Sequence, residues 1–120
     1  MKEILIVMSI FSTIFGARTP QNSVIKLLTA EEFRTQVKGK NVQLIDVRTP
    51  REFKSGHIDH AFNIDFYSGK FNAEFNKFDK DAAIYVYCRS GSRSRQTGKK
   101  LAAMGFTEIY DLEGGILKYY

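Results

Sequence analysis

The chain has 120 residues, 43% of them hydrophobic, which fits one domain with enough apolar surface for a folded core and excludes a disordered chain. Its formal net charge of +5 favours anionic ligands, but eighteen Lys and Arg are scattered among thirteen acids rather than gathered in a stripe, so nucleic acid is not an expected partner. One cysteine excludes an internal disulfide and a cysteine-cluster metal centre, and two isolated histidines argue against a His-rich one.

The N-terminal "MKEILIVMSIFSTIFGA" has Lys2 near its start, an apolar stretch from Ile4 to Phe15 and small residues Gly16 and Ala17 at its end. That is the layout of a secretory signal peptide or an N-terminal anchor over residues 1–17, too short for a comfortable membrane span. Glu3 and the bulky Phe15 fit the pattern less well. Residues 18–23 read as a short linker, and residues 24–120 as the domain.

From Val24 onward, short apolar runs alternate with amphipathic stretches, which predicts helices around an open, mostly parallel sheet of about five strands, an α/β fold. "VIKLL" predicts a first strand. "TAEEFRTQV" predicts a helix, with Thr29 and Glu32 spaced as a capping box and Gly39 as its stop. "VQLIDV" is a continuous apolar run closed by Asp46, as in a strand covered on both faces. Thr49, Pro50 and Glu52 repeat the start signal and predict a short helix over 50–55. "AFNI" predicts a brief strand after a loop that holds Gly56, His57 and His60. Phe71, Phe75 and Phe78 recur at helical spacing, a phenyl stripe suited to core packing. "AAIYVY" is the most strand-like run and ends at Cys88. "SRQTGKKLAAM" predicts a helix that turns Leu101 and Met104 inward, ends at Gly105 and approaches its sheet closely at Gly98. "EIYDL" predicts the last strand, and "EGGILKYY" finishes the domain. In such a sheet, ligands bind at the carboxyl ends of strands, where Cys88 and Asp46 stand.

The chemistry is concentrated in "CRSGSRS". Cys88 ends a strand, a tight turn runs to Arg93, and a helix begins near Ser92 or Ser94. Unpaired amides at the helix start and its dipole favour an anion in the concavity of the turn, with Gly91 supplying backbone freedom. A cysteine beside such a cradle and two guanidinium groups is expected to be thiolate at neutral pH without a general base. A lone cysteine is most often a small buried strand cap. Arg89, Arg93, Gly91 and the strand-loop-helix setting favour a nucleophile instead. Arg93 and Arg95 also fit as surface charges, although positive charge at a helix start opposes the dipole and suggests an anionic partner. A Cys/His hydrolase is disfavoured, because His57 and His60 lie in a separate loop.

"CRSGSRS", with "DVRTPREFKSGHIDHAFNI" upstream and "LEGGILKY" downstream, resembles a single-domain rhodanese of the sulfurtransferase family, from about Leu27 to the C-terminus. The resemblance implies that Cys88 attacks the outer sulfur of thiosulfate or a similar small anionic donor, releases sulfite and carries a persulfide to cyanide, a thiol or a protein acceptor. It places the substrate-binding loop at Arg89, Ser90, Gly91, Ser92, Arg93 and Ser94. It implies support of the site by Asp46, bracing the loop from beneath, and by Arg48, pairing with Glu52. His57 matches a loop anchor, and Gly114 and Gly115 match a turn beside the active loop; Tyr119 stands where the family often has tryptophan. The resemblance implies no cofactor and no metal.

Two other readings stand beside this one. A phosphatase or arsenate reductase on this fold needs a loop one residue longer, and the position it requires as arginine is Ser94. A carrier or partner-binding module would keep the same loop without efficient turnover of free thiosulfate. Export would place the protein in the periplasm or another extracytoplasmic compartment, as a monomer with no membrane span once the signal is removed. Without export the chain is cytoplasmic or membrane-anchored.

Overall fold

A computed structural model describes residues 24–120. The expected signal segment at 1–17 and linker at 18–23 lie outside the described residues. Five parallel strands form one sheet in the order β1-β5-β4-β2-β3: β1 (Ile25–Leu28), β2 (Gln43–Asp46), β3 (Phe62–Asn63), β4 (Ile84–Tyr87) and β5 (Ile109–Leu112). Four α-helices connect them: α1 (Ala30–Val37), α2 (Pro50–Lys54), α3 (Phe71–Phe75) and α4 (Ser92–Ala103). A 3-10 turn over Ile116–Lys118 closes the chain. Among the described residues, no helix is long and apolar enough to cross a membrane.

Local signals account for the helix starts. Thr29 and Thr49 each accept the backbone N–H three residues on, from Glu32 and Glu52, while those glutamates accept the cap N–H groups in return. Two otherwise orphaned donors are thereby satisfied at each start. The predicted stripe of phenylalanines packs as a chain of rings, with Phe71 and Phe75 buried at 4.7 Å centroid separation and Phe78 partly covered. Its helix is shorter than the spacing suggested, because turns replace helix on both sides of Phe71–Phe75.

Alternation along the strands divides the core into two layers. Ile45, Ile84, Val86, Cys88 and Ile109 face α3 and α4, whereas Leu44, Tyr85, Tyr87 and Leu112 face Phe33 and Val37 of α1 and Tyr119. β4 is buried along its whole length, as its apolar run requires. At Gly98 the helix α4 comes so near the sheet that a methyl group there would lie 3.4 Å from Ile25. β4 sits between β5 and β2, so three strands end around Cys88.

Candidate active site

Cys88 follows β4 directly, and the chain turns at Gly91, whose φ of 115° is a conformation that side chains resist, before entering α4 at Ser92. That turn aims backbone amides inward. The N–H of Gly91 lies 3.1 Å from Cys88 Sγ and the N–H of Ser94 3.4 Å, so two donors converge on the sulfur. Ser94 Oγ lies 3.5 Å away on the same side. Cys88 is only 1% exposed, while Arg89, Ser90 and Ser92 form an exposed rim.

The chain's last turn holds the loop from the side. The N–H of Ile116 donates to the Cys88 carbonyl at 2.9 Å and that of Leu117 to the Arg89 carbonyl at 3.2 Å. The backbone of Gly115 packs so closely that a Cβ there would fall 2.2 Å from Arg89 O. Gly114 lies beside Gly91, where an added Cβ would stand 3.7 Å from the Gly114 nitrogen.

Arg93 is held by α2, donating to both oxygens of Glu52 at 2.7 and 3.1 Å. Bonding to Arg93 pulls the Glu52 carboxyl down to about 2 against the opposing effect of burial, and the Thr49 N–H adds to the pull. The same pairing raises Arg93 above its ordinary value. Arg89 carries no ion pair among the described residues.

Two expected contacts are corrected. Arg48 does not pair with Glu52: it folds back on Asp46, with its Nε 3.0 Å from each carboxylate oxygen, and also donates to the Gly56 carbonyl at 2.7 Å. Asp46 does not brace the loop from beneath, because both its oxygens are committed to Arg48, including the Arg48 backbone N–H at 2.9 Å. The two residues instead clamp the end of β2 to the turn at Gly56. The reason is geometric: two residues past a strand end, the chain bends enough for the guanidinium to meet the carboxylate in the same strand layer. His57 stacks on Phe53 at 3.7 Å and its Nδ1 lies 2.9 Å from the Phe53 carbonyl, so it ties the loop to α2 and does not reach Cys88.

The carboxylate that does lie beneath the loop is Asp111 on β5, whose Oδ1 is 2.6 Å from Ser94 Oγ. Burial pushes its carboxyl up to about 6, although the Ser94 hydrogen bond and the Arg95 charge oppose that rise. No motif in the sequence singles it out. Its one signal was an acid inside the otherwise apolar run "IYDL". Among the described residues no three His, Cys, Asp or Glu side chains gather as a metal site.

Comparison with known proteins agrees with this architecture. Residues 29–120 match the model of the rhodanese-like domain. YqhL of Bacillus subtilis is 40% identical, over 82% of this chain and 75% of its own length. A protein named thiosulfate sulfurtransferase GlpE, from Shewanella oneidensis, is 31% identical over 82% of this chain and 95% of its own. The crystal structure of a rhodanese-like domain protein from Staphylococcus aureus superposes with a TM-score of 0.70 at 30% identity, covering 79% of this chain and 91% of that one. With its five-stranded parallel sheet and its cysteine loop at the carboxyl end of β4, this chain belongs to the rhodanese-like domain family.

Proposed function

We propose that the protein is a sulfurtransferase that carries sulfane sulfur on Cys88. The observation that carries this reading is the convergence of the Gly91 and Ser94 amides on Cys88 Sγ, which stabilises negative charge where a thiolate or persulfide holds it. The thiolate attacks the outer sulfur of thiosulfate or a similar donor and a new S–S bond forms. The donor's S–S bond breaks, and its electron pair leaves with sulfite. A thiol or cyanide then attacks the outer sulfur of the persulfide, and the pair of that bond returns to Cys88.

Arg89 at the exposed rim supplies positive charge to the approaching donor. Low exposure of the sulfur favours a reagent that presents a single sulfur atom. The short loop disfavours the phosphatase reading, since Ser94 stands where the longer phosphate loop needs arginine. We further propose that the N-terminal segment directs export, so that the acceptor is extracytoplasmic; N-terminal sequencing of the protein recovered from cell fractions tests this.

Intact-protein mass spectrometry before and after thiosulfate tests the activity. A cyanide-reversible gain of one sulfur atom on the wild type, absent from Cys88→Ser, is the expected result. A folded, reduced protein that gains nothing from thiosulfate but accepts sulfur from a persulfidated protein is a carrier. A Cys88→Ser variant that retains full transfer overturns the mechanism.

A further inference from the structure

Three buried groups form a line under the active loop: Cys88 Sγ lies 3.5 Å from Ser94 Oγ, which lies 2.6 Å from Asp111 Oδ1. A hydroxyl has one proton to give. Facing an ionised Asp111, Ser94 gives it to the short contact, and its oxygen is left to accept from the sulfur. Its other neighbour, the Gly91 carbonyl at 3.3 Å, only accepts and cannot supply a proton.

We propose that Asp111 is a positioning residue for Cys88 that exchanges one proton with the sulfur through Ser94. In one arrangement the thiol donates to Ser94 Oγ while the Ser94 hydroxyl donates to the Asp111 carboxylate. Shifting both protons one step breaks the S–H bond and the original Ser94 O–H bond, and forms a new O–H bond on Ser94 and one on Asp111. The result is a thiolate that accepts from Ser94 and a neutral Asp111 that donates to it. One negative charge has moved from carboxylate to sulfur, and no proton has entered from solvent.

The surroundings suit this exchange. Burial makes Asp111 a better proton acceptor than an exposed aspartate. Arg95 on α4 favours its carboxylate, and Arg93, held by Glu52 of α2, lies near enough to Cys88 for the two charges to interact. The strand neighbours of Asp111 in register, Leu27 on β1 and Val86 on β4, carry no charge. Two groups that share a proton titrate as a pair, in two steps rather than one.

This inference rests on Cys88 being the reacting sulfur and not on the identity of the donor. Its test is the rate of Cys88 alkylation by iodoacetamide against pH, which needs no sulfur donor. Failure of thiosulfate loading and failure of the proton exchange are therefore separate results. The wild-type rate is expected to rise in two steps. The lower step is lost in Asp111→Asn and Ser94→Ala and restored in Ser94→Thr, which keeps the hydroxyl. A merely structural role would change stability or overall rate without changing the number of steps. A single step in the wild type overturns the proposal, as does a lower step that persists in folded Asp111→Asn.

Discussion

Arg93, in the loop that carries Cys88, is held by both carboxylate oxygens of Glu52, 41 positions earlier in the chain. One of the two arginines expected to meet an anionic donor is thus already neutralised. Replacing the carboxylate should free that charge. With water-like screening, removing one negative charge beside the cradle is worth on the order of 1 kcal/mol. Glu52→Gln is therefore expected to lower the KM for thiosulfate about fivefold. Steady-state kinetics check this, and a raised KM would show that Arg93 works only when held in place.

The same pair sets an acid limit on stability. Glu52 has its ordinary value of 4.5 lowered to about 2 in the fold, so its contribution is complete above pH 4.5 and is lost as pH falls toward 2. Breaking a charged hydrogen-bonded pair of this kind costs about 1.5–3 kcal/mol. Urea denaturation should show Glu52→Gln less stable by that amount at pH 7, with the gap to wild type closing as pH falls toward 2.

Asp111 works in the opposite direction. Its folded value of about 6 lies above the ordinary 3.8, so the folded state binds the proton more tightly and stability declines as pH rises between those values. Asp111→Asn keeps a contact to Ser94 and cannot ionise. It is expected to stabilise the protein by up to about 3 kcal/mol at pH 7 and to give no such gain below pH 3.8. Denaturation curves at the two pH values decide the matter.

Gly115→Ala tests the wall of the loop. A Cβ there would meet the Arg89 carbonyl carbon at 2.4 Å and the Ser90 nitrogen at 2.6 Å, backbone atoms that cannot rotate away, and φ at Gly115 is 67°. A loss of about 2–4 kcal/mol is expected, in the range of overpacking plus backbone strain. Slower alkylation of Cys88 should accompany it as the loop is displaced. Thermal melts and the alkylation rate provide the check.

Gly98→Ala is a contrasting case. Its Cβ would touch Ile25 at 3.4 Å and Ile109 at 3.8 Å, within van der Waals contact, and Gly98 lies in the middle of α4. Helix propensity then favours alanine by about 1 kcal/mol. A rise in Tm with sulfur loading unchanged is the expected outcome, and a fall would mean that α4 cannot move the small distance the methyl requires.

Local chemistry was legible in the sequence because its cause lies within a few residues. Thr29 with Glu32, and Thr49 with Glu52, close their capping boxes through contacts three positions apart. The loop from Cys88 to Ser94 builds its amide cradle from its own turn, with Gly91 at positive φ. The apolar run of β4 announced a strand covered on both faces, and the structure buries all of it.

The sequence by itself determined the elements, their apolar faces and the cysteine loop, because periodicity, capping and turn chemistry are short-range properties of the chain. Tertiary structure alone decided which distant charges meet that loop. The strand order places β5 and β2 on either side of β4, bringing Asp111 beneath Ser94 and Glu52 beside Arg93, and it leaves Asp46 to Arg48. Neighbourhood in a parallel sheet is set by crossover connections rather than by separation along the chain, so no local spacing encodes the Asp111–Ser94 and Glu52–Arg93 pairs, whereas Asp46 meets Arg48 only two positions away.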